Sequence, residues 1–171
     1  MTALLVFESM YGSTAAIAES LAAGLADVRV PTTMCEVGLA APSVDKLPML
    51  LVIGAPTHQR GLSTPRTRDV ARRDGDATVS PGDGVREWLE RLAGTCAGQQ
   101  VATFDTAVAG RLSGSAAHTI SRRLMKAGAT LVVPPETFTV TGRRGGLLCD
   151  ELERARSWGR SLGLFATASV Q

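Results

Sequence analysis

The sequence predicts an α/β fold, a three-layer sandwich on a five-stranded parallel sheet in the order 2-1-3-4-5. Short, continuous apolar runs alternate with amphipathic stretches of helical period, which is the pattern of parallel strands covered on both faces. Several of those runs also end in turns rich in glycine and hydroxyl groups, where a sheet of this kind binds its ligands.

The first strand is the apolar run that opens residues 4–14, LLVFESMYGST, before a hydroxyl-rich loop and the start of an alanine-rich helix. In that helix Ile17, Leu21 and Leu25 recur every four residues beside Ala18 and Ala22, predicting about 14 residues with one buried stripe. Residues 28–37 read as the second strand, and 47–55, LPMLLVIGA, as a central third strand, with only a short segment, 38–46, between them. Ser80-Pro81-Gly82-Asp83 is a helix-start signal, followed by Val85, Trp88, Leu89 and Leu92 on one face. Residues 100–106 form the fourth strand, and Gly114-Ser115 opens a helix with Ile120 and Leu124 on its apolar side. Residues 130–141 make the fifth strand, which Pro134 and Pro135 must bend or place at an edge. Asp150, with Glu153 three residues on, caps a last helix carrying Leu152, Ala155 and Leu162. Residues 1–165 are expected to form one domain, with 62–82 as an inserted basic loop and short helix and 166–171 as a frayed tail.

Composition excludes several classes of function. With 44% hydrophobic and 20% charged residues the chain is globular. No apolar run reaches the length of a membrane span and no leader pattern opens the chain, so a cytoplasmic protein is expected. A net charge of +2 and few aromatics argue against nucleic acid as a partner. Cys35, Cys96 and Cys149 have neither metal-ligand nor disulfide spacing and read as structural thiols, and no metal site is expected. None of them begins the C-x5-R signature of a thiol phosphatase, Arg154 falling one residue too early after Cys149.

The loop after the first strand surrounds one small volume with backbone N–H groups, a helix N-terminus and the hydroxyls of Ser9, Ser13 and Thr14. It lacks the lysine of a nucleoside-triphosphate loop and the G-x-G-x-x-G of a dinucleotide loop, and Glu8 is its only charge. Neutral donors suit a single terminal phosphate. The plainer reading of the same residues is an ordinary strand-to-helix turn capped by Ser13, with Gly12 supplying an unusual backbone angle. In the 2-1-3-4-5 order the ligand crevice is lined by this loop and by those after strands three and four, residues 56–61 and 106–112.

With those three loops in order, the chain resembles the flavodoxins. Ser9-Met10-Tyr11-Gly12-Ser13-Thr14 is similar to the family's phosphate loop, [ST]-x-T-G-x-T, with Tyr11 in place of a usual threonine. VIGAPTHQRG resembles the second flavin loop, in the G-x-P-T version of flavodoxin-like quinone reductases, and FDTAVAG sits where the third belongs. The resemblance implies FMN, held by its phosphate at Ser9, Met10, Tyr11, Gly12, Ser13 and Thr14. Pro56, Thr57, His58, Gln59, Arg60 and Gly61 would lie along one side of the flavin ring and Asp105, Thr106, Ala107 and Gly110 along the other. It implies an FMN enzyme serving a quinone or other small acceptor, or a one-electron carrier serving a reductase partner, as a monomer or homodimer. A flavin-free binding or regulatory module on the same fold is the third reading. A phosphorylated receiver domain is set aside, because Ala55-Pro56-Thr57 supplies no aspartate after strand three.

Two departures from the family are visible. Six of the seven aromatic residues fall outside the ligand loops, so His58 is the candidate to stack on the ring, an ordinary exposed loop histidine being the alternative. Residues 58–73 carry Arg60, Arg66, Arg68, Arg72 and Arg73 against Asp69 alone, where an acidic rim is expected. A cation at the pyrimidine edge would stabilise the negative charge of the reduced flavin and raise its potential. A solvated basic helix over residues 64–73 is the alternative, and an acidic redox partner or anionic substrate docking on 62–82 is a further expectation.

Overall fold

A computed structural model describes residues 2–41, 48–58, 61–74, 80, 82–92, 96–110 and 114–168. The elements are β1 (Ala3–Phe7), α1 (Ser13–Asp27), β2 (Thr32–Glu36), β3 (Leu50–Pro56), α2 (Pro65–Arg73), α3 (Val85–Leu92), β4 (Gln100–Val108), α4 (Ala116–Lys126), β5 (Thr130–Leu131), β6 (Glu136–Val140) and α5 (Glu151–Ala168). The sheet is parallel in the order β2-β1-β3-β4-β5, with β6 also beside β4, as the alternating pattern predicts.

Side-chain alternation divides the core in two. Leu5, Val52 and Phe104 point to one face, where they meet Ile17, Leu21 and Leu25 of α1 and Leu162 of α5. Val6, Ile53 and Val101 point to the other, against Trp88 of α3 and Ile120 and Leu124 of α4. On the first face α1 and α5 touch backbone to backbone, because a methyl on Gly24 would overlap the carbonyl of Arg156 and one on Gly159 that of Leu21.

Pro134 and Pro135 split the fifth strand rather than merely bending it. β5 pairs Leu131 with Val101 and β6 pairs Glu136 with Phe104, so two residues of β4 face four of its neighbour. The insertion is even, which preserves the alternation and keeps Phe138 inside, edge-on to Phe104 and Trp158. The second strand is shorter than expected, since Arg29, at φ 62°, turns the chain out of α1 before extended backbone resumes. Residues 37–39 form a single 3-10 turn in place of a second covering helix, and the rest of the expected connection, 42–47, lies outside the described residues. Leu152 is exposed rather than part of the α5 stripe. α5 also runs on through Ala168 with Ala166 fully buried, so residues 166–168 are not a frayed tail, and 169–171 lie outside the described residues.

Candidate functional site

β1 delivers the chain to the first loop, and Gly12, at φ 87°, turns it into α1. That backbone angle favours glycine, and the helix has no side-chain cap, so Gly12 rather than Ser13 stands at the cap position. Ala16 N–H donates to the Gly12 carbonyl, but the N–H groups of Gly12, Ser13 and Thr14 donate to nothing among the described residues. These are the orphan donors of a helix start, and the dipole adds positive potential at the same place.

Ser9 lies beneath this loop. It is buried, its N–H donates to Ser80 Oγ at 3.0 Å, its carbonyl accepts from Ser80 N–H at 2.9 Å, and its hydroxyl lies 3.4 Å from Ala15 N. The Tyr11 phenol donates to Asp74 Oδ2 at 2.9 Å. Thr14 Oγ1 stands 2.8 Å from Thr106 Oγ1, tying the first loop to the third. Glu8, the loop's one charge, is fully buried and turned away, with Oε1 accepting from Ser63 Oγ at 2.5 Å and Oε2 from Val85 N–H at 3.0 Å. Only neutral donors are left facing outward, and that donor set fits a phosphate monoester.

The second loop closes on itself, His58 and Gly61 exchanging backbone hydrogen bonds at 2.8 and 2.9 Å; Gln59 and Arg60, between them, lie outside the described residues. Thr57 is held by its neighbours, its N–H donating to the Thr106 carbonyl and its hydroxyl to Asp105 Oδ2 at 2.7 Å. Asp105 is fully buried, and its Oδ2 also accepts from Ser115 Oγ and Ala117 N–H. Its other oxygen, Oδ1, is buried with no partner among the described residues. Asp105 therefore fixes the second and third loops to the start of α4 through its carboxylate.

One cleft of about 1170 Å³ joins the loops. From the first come Met10, Tyr11, Ser13 and Thr14, from the second Pro56, Thr57, His58 and Gly61, and from the third Thr106 and Ala107. Ser9, Gly12, Asp105 and Gly110 are not on its wall; Asp105 and Gly110 border a smaller depression of about 690 Å³ with His118 and Arg122. Small-molecule sites reach about 1000 Å³, so the cleft has room for a tricyclic ring with a phosphorylated side chain.

The rest of the wall was not legible in the loop motifs. α2, entered through a reciprocal Thr64–Thr67 capping box, contributes Thr64, Arg66, Thr67 and Val70. Arg86 comes from α3, and Gly142, Arg143 and Gly145 from the turn after β6. The signal for that turn is Gly142-Arg143-Arg144-Gly145-Gly146, a glycine-bracketed basic pair at the carboxyl end of a strand. Asp74, at the end of α2, clasps three segments of the rim, accepting from Tyr11 and pairing with Arg143 at 3.1 Å and Arg144 at 3.3 Å. The Tyr11 hydrogen bond, helped by the two arginines, holds its carboxyl below the ordinary range. Burial, reinforced by the charge of Arg143, pushes His58 below 6.5. Arg68, one of the basic residues of α2, is buried rather than solvated, its guanidinium donating to Ser63 Oγ and pairing with Glu87 at 3.1 Å.

Of the three cysteines, Cys35 is half-buried, Cys96 buried and Cys149 exposed. No helix among the described residues is long and apolar enough to cross a membrane.

No family model matches the chain, and no curated protein matches its sequence. Solved structures do resemble it. A flavodoxin from the domain Archaea superposes with TM-score 0.70 at 17% identity, covering 98% of this chain and 99% of that one. Oxidised flavodoxin 1 from Bacillus cereus gives 0.71 at 15% identity and 98% coverage of both chains. Rubredoxin oxygen:oxidoreductase from Desulfovibrio gigas gives 0.69 at 14% identity, over 99% of this chain and 37% of that one. Likeness along almost the whole chain, in the sheet order described above, gives this protein a flavodoxin-like fold.

Proposed function

We propose that the protein binds FMN non-covalently in the large cleft and transfers electrons through it to a quinone or other small acceptor. The observation that carries this reading is the first loop, whose unspent N–H groups at Gly12, Ser13 and Thr14 open beside the cleft that the second and third loops also line. Those N–H groups and the Ser13 and Thr14 hydroxyls would hold the phosphate. Backbone groups of the second and third loops would meet the polar edge of the ring, with the His58 imidazole beside it. When bound, FMN supplies one- and two-electron transfer between the two loops.

The chain's own contribution is positional and electrostatic. The Thr57–Asp105–Ser115 hydrogen bonds hold the ring-binding turns against the end of the sheet, and the Thr14–Thr106 contact sets the spacing between phosphate and ring positions. Arg66, Arg86 and Arg143 give the cleft positive charge, and its described walls carry no carboxylate. That field favours a reduced, negatively charged cofactor and supports a higher-potential oxidoreductase over a low-potential shuttle.

The test is to add FMN to purified protein and record the visible spectrum and flavin fluorescence. A shifted, structured absorption band with quenched emission is expected; free-flavin spectra at millimolar FMN would overturn the reading and leave a flavin-free module. Turnover of NAD(P)H with a quinone then separates an enzyme from a carrier.

A further inference from the structure

We propose that Arg66, Arg86 and Arg143 form a second anion station in the cleft, separate from the phosphate loop, which takes the acidic group of a small organic substrate. The inference rests on the cleft's being the flavin site and names the class of molecule that shares it: a planar aromatic or quinoid compound bearing a carboxylate or sulfonate.

Arg66 lines the cleft and has no ion pair or hydrogen bond among the described residues. Arg86 donates through Nε to the Ser63 carbonyl at 2.9 Å and through Nη2 to the Leu62 carbonyl at 2.8 Å. Both acceptors are neutral, so among the described residues its charge has no acidic partner, and a guanidinium has five N–H donors, most of which remain here. Among the described residues Arg143 has one acidic partner, Asp74, which it divides with Arg144. The three come from separate segments, α2, α3 and the turn after β6, and all line the same cleft. Arg72 and Arg91, by contrast, pair with surface carboxylates, as arginines of a solvated face do.

A phosphate in the first loop would leave this wall unsatisfied, because that loop meets its anion with donors of its own. Arg86 is half-buried, and Arg66 and Arg143 are exposed where they line the cleft, whereas Arg73 is exposed and off its wall. A small molecule in the cleft meets the first three alone; an acidic protein reading the surface would meet Arg73 as well. Guanidinium groups bind carboxylate and sulfonate in forked pairs, so the station discriminates by charge.

The experiment is calorimetry on the FMN-treated protein with two isosteric probes, naphthalene-2-sulfonate and the uncharged naphthalene-2-sulfonamide. The sulfonate is expected to bind at least about tenfold more tightly. That preference should fall to within about threefold in Arg66→Ala, which removes a side chain with no structural partner, and in Arg143→Ala, while sulfonamide binding stays constant. Arg73→Ala should leave the preference intact. Equal binding of the two probes, or a preference that survives both cleft variants, would overturn the proposal. A preference lost equally in Arg73→Ala would also overturn it and indicate a diffuse basic surface of the sort an acidic protein reads. FMN uptake is read separately from the absorption spectrum. Uptake without charge preference removes the station alone, whereas charge preference without uptake removes the flavin reading and with it the assignment of the bound anion as a flavin substrate.

Discussion

Replacing Glu8 with alanine should cost the fold about 3–5 kcal/mol. The carboxylate is fully buried at the end of β1 and accepts two hydrogen bonds, from the Ser63 hydroxyl and from the N–H of Val85 at the start of α3. Each bond to a charged group is worth about 1.5–3 kcal/mol, and the substitution leaves both donors buried without an acceptor. Arg68, which donates to the same Ser63 oxygen, then retains only Glu87 as a counter-charge. The space cannot collapse cheaply, since Gly84 already presses against Arg68, Glu8 and Ser63 so closely that a methyl there would overlap all three. In urea, with a slope of about 2 kcal/mol per molar, the midpoint should fall by about 2 M. Glu8→Gln keeps one acceptor and should cost about 1–2 kcal/mol, while Asp69→Ala, which breaks an exposed pair with Arg72, should change stability by less than about 0.5 kcal/mol. If Glu8→Ala stays within about 1 kcal/mol of the parent, the carboxylate is a solvated loop charge and the reasoning is refuted.

Gly159→Ala should destabilise by about 1–3 kcal/mol despite the gain of about 1 kcal/mol in helix propensity, because its methyl meets the Leu21 carbonyl; an unchanged melting temperature would contradict the backbone contact of α1 and α5. Asp27, held at about 2 chiefly by its hydrogen bond from Arg156, sits below its ordinary 3.8. Its contribution is therefore complete above pH 3.8 and lost as pH falls toward 2, so Asp27→Asn should flatten that part of the acid unfolding curve. His58 should titrate below 6.5 by NMR, and Arg143→Ala should raise the midpoint; a midpoint indifferent to Arg143 would separate the two groups. Because the folded value is depressed, His58 lowers stability as pH falls through 6.5.

Much of the sheet was readable because its determinants are local. Residues 50–55 are an uninterrupted apolar run covered on both faces, and Ile17, Leu21 and Leu25 mark the buried side of α1 at helical spacing. The prolines at 134 and 135 signalled a fault in the fifth strand, but its size depends on which β4 residues each half meets, a tertiary fact. The role of Glu8 was hidden for the same reason, since its partners Ser63 and Val85 lie 55 and 77 residues away. Asp105 is likewise a residue in a ligand-loop motif whose hydrogen bonds serve the scaffold. The arginine wall combines single residues from three segments, and no spacing rule connects Arg66, Arg86 and Arg143.

The central claim is that uncharged donors at the start of α1 grip a phosphate monoester, and the most direct measurement compares FMN with riboflavin by fluorescence quenching on the same protein. The two ligands share a ring and differ by the phosphate. With three N–H groups that have no acceptor among the described residues and the Ser13 hydroxyl available to it, FMN should bind at least about a hundredfold more tightly. Equal affinities would contradict the account, whatever the ring binds to.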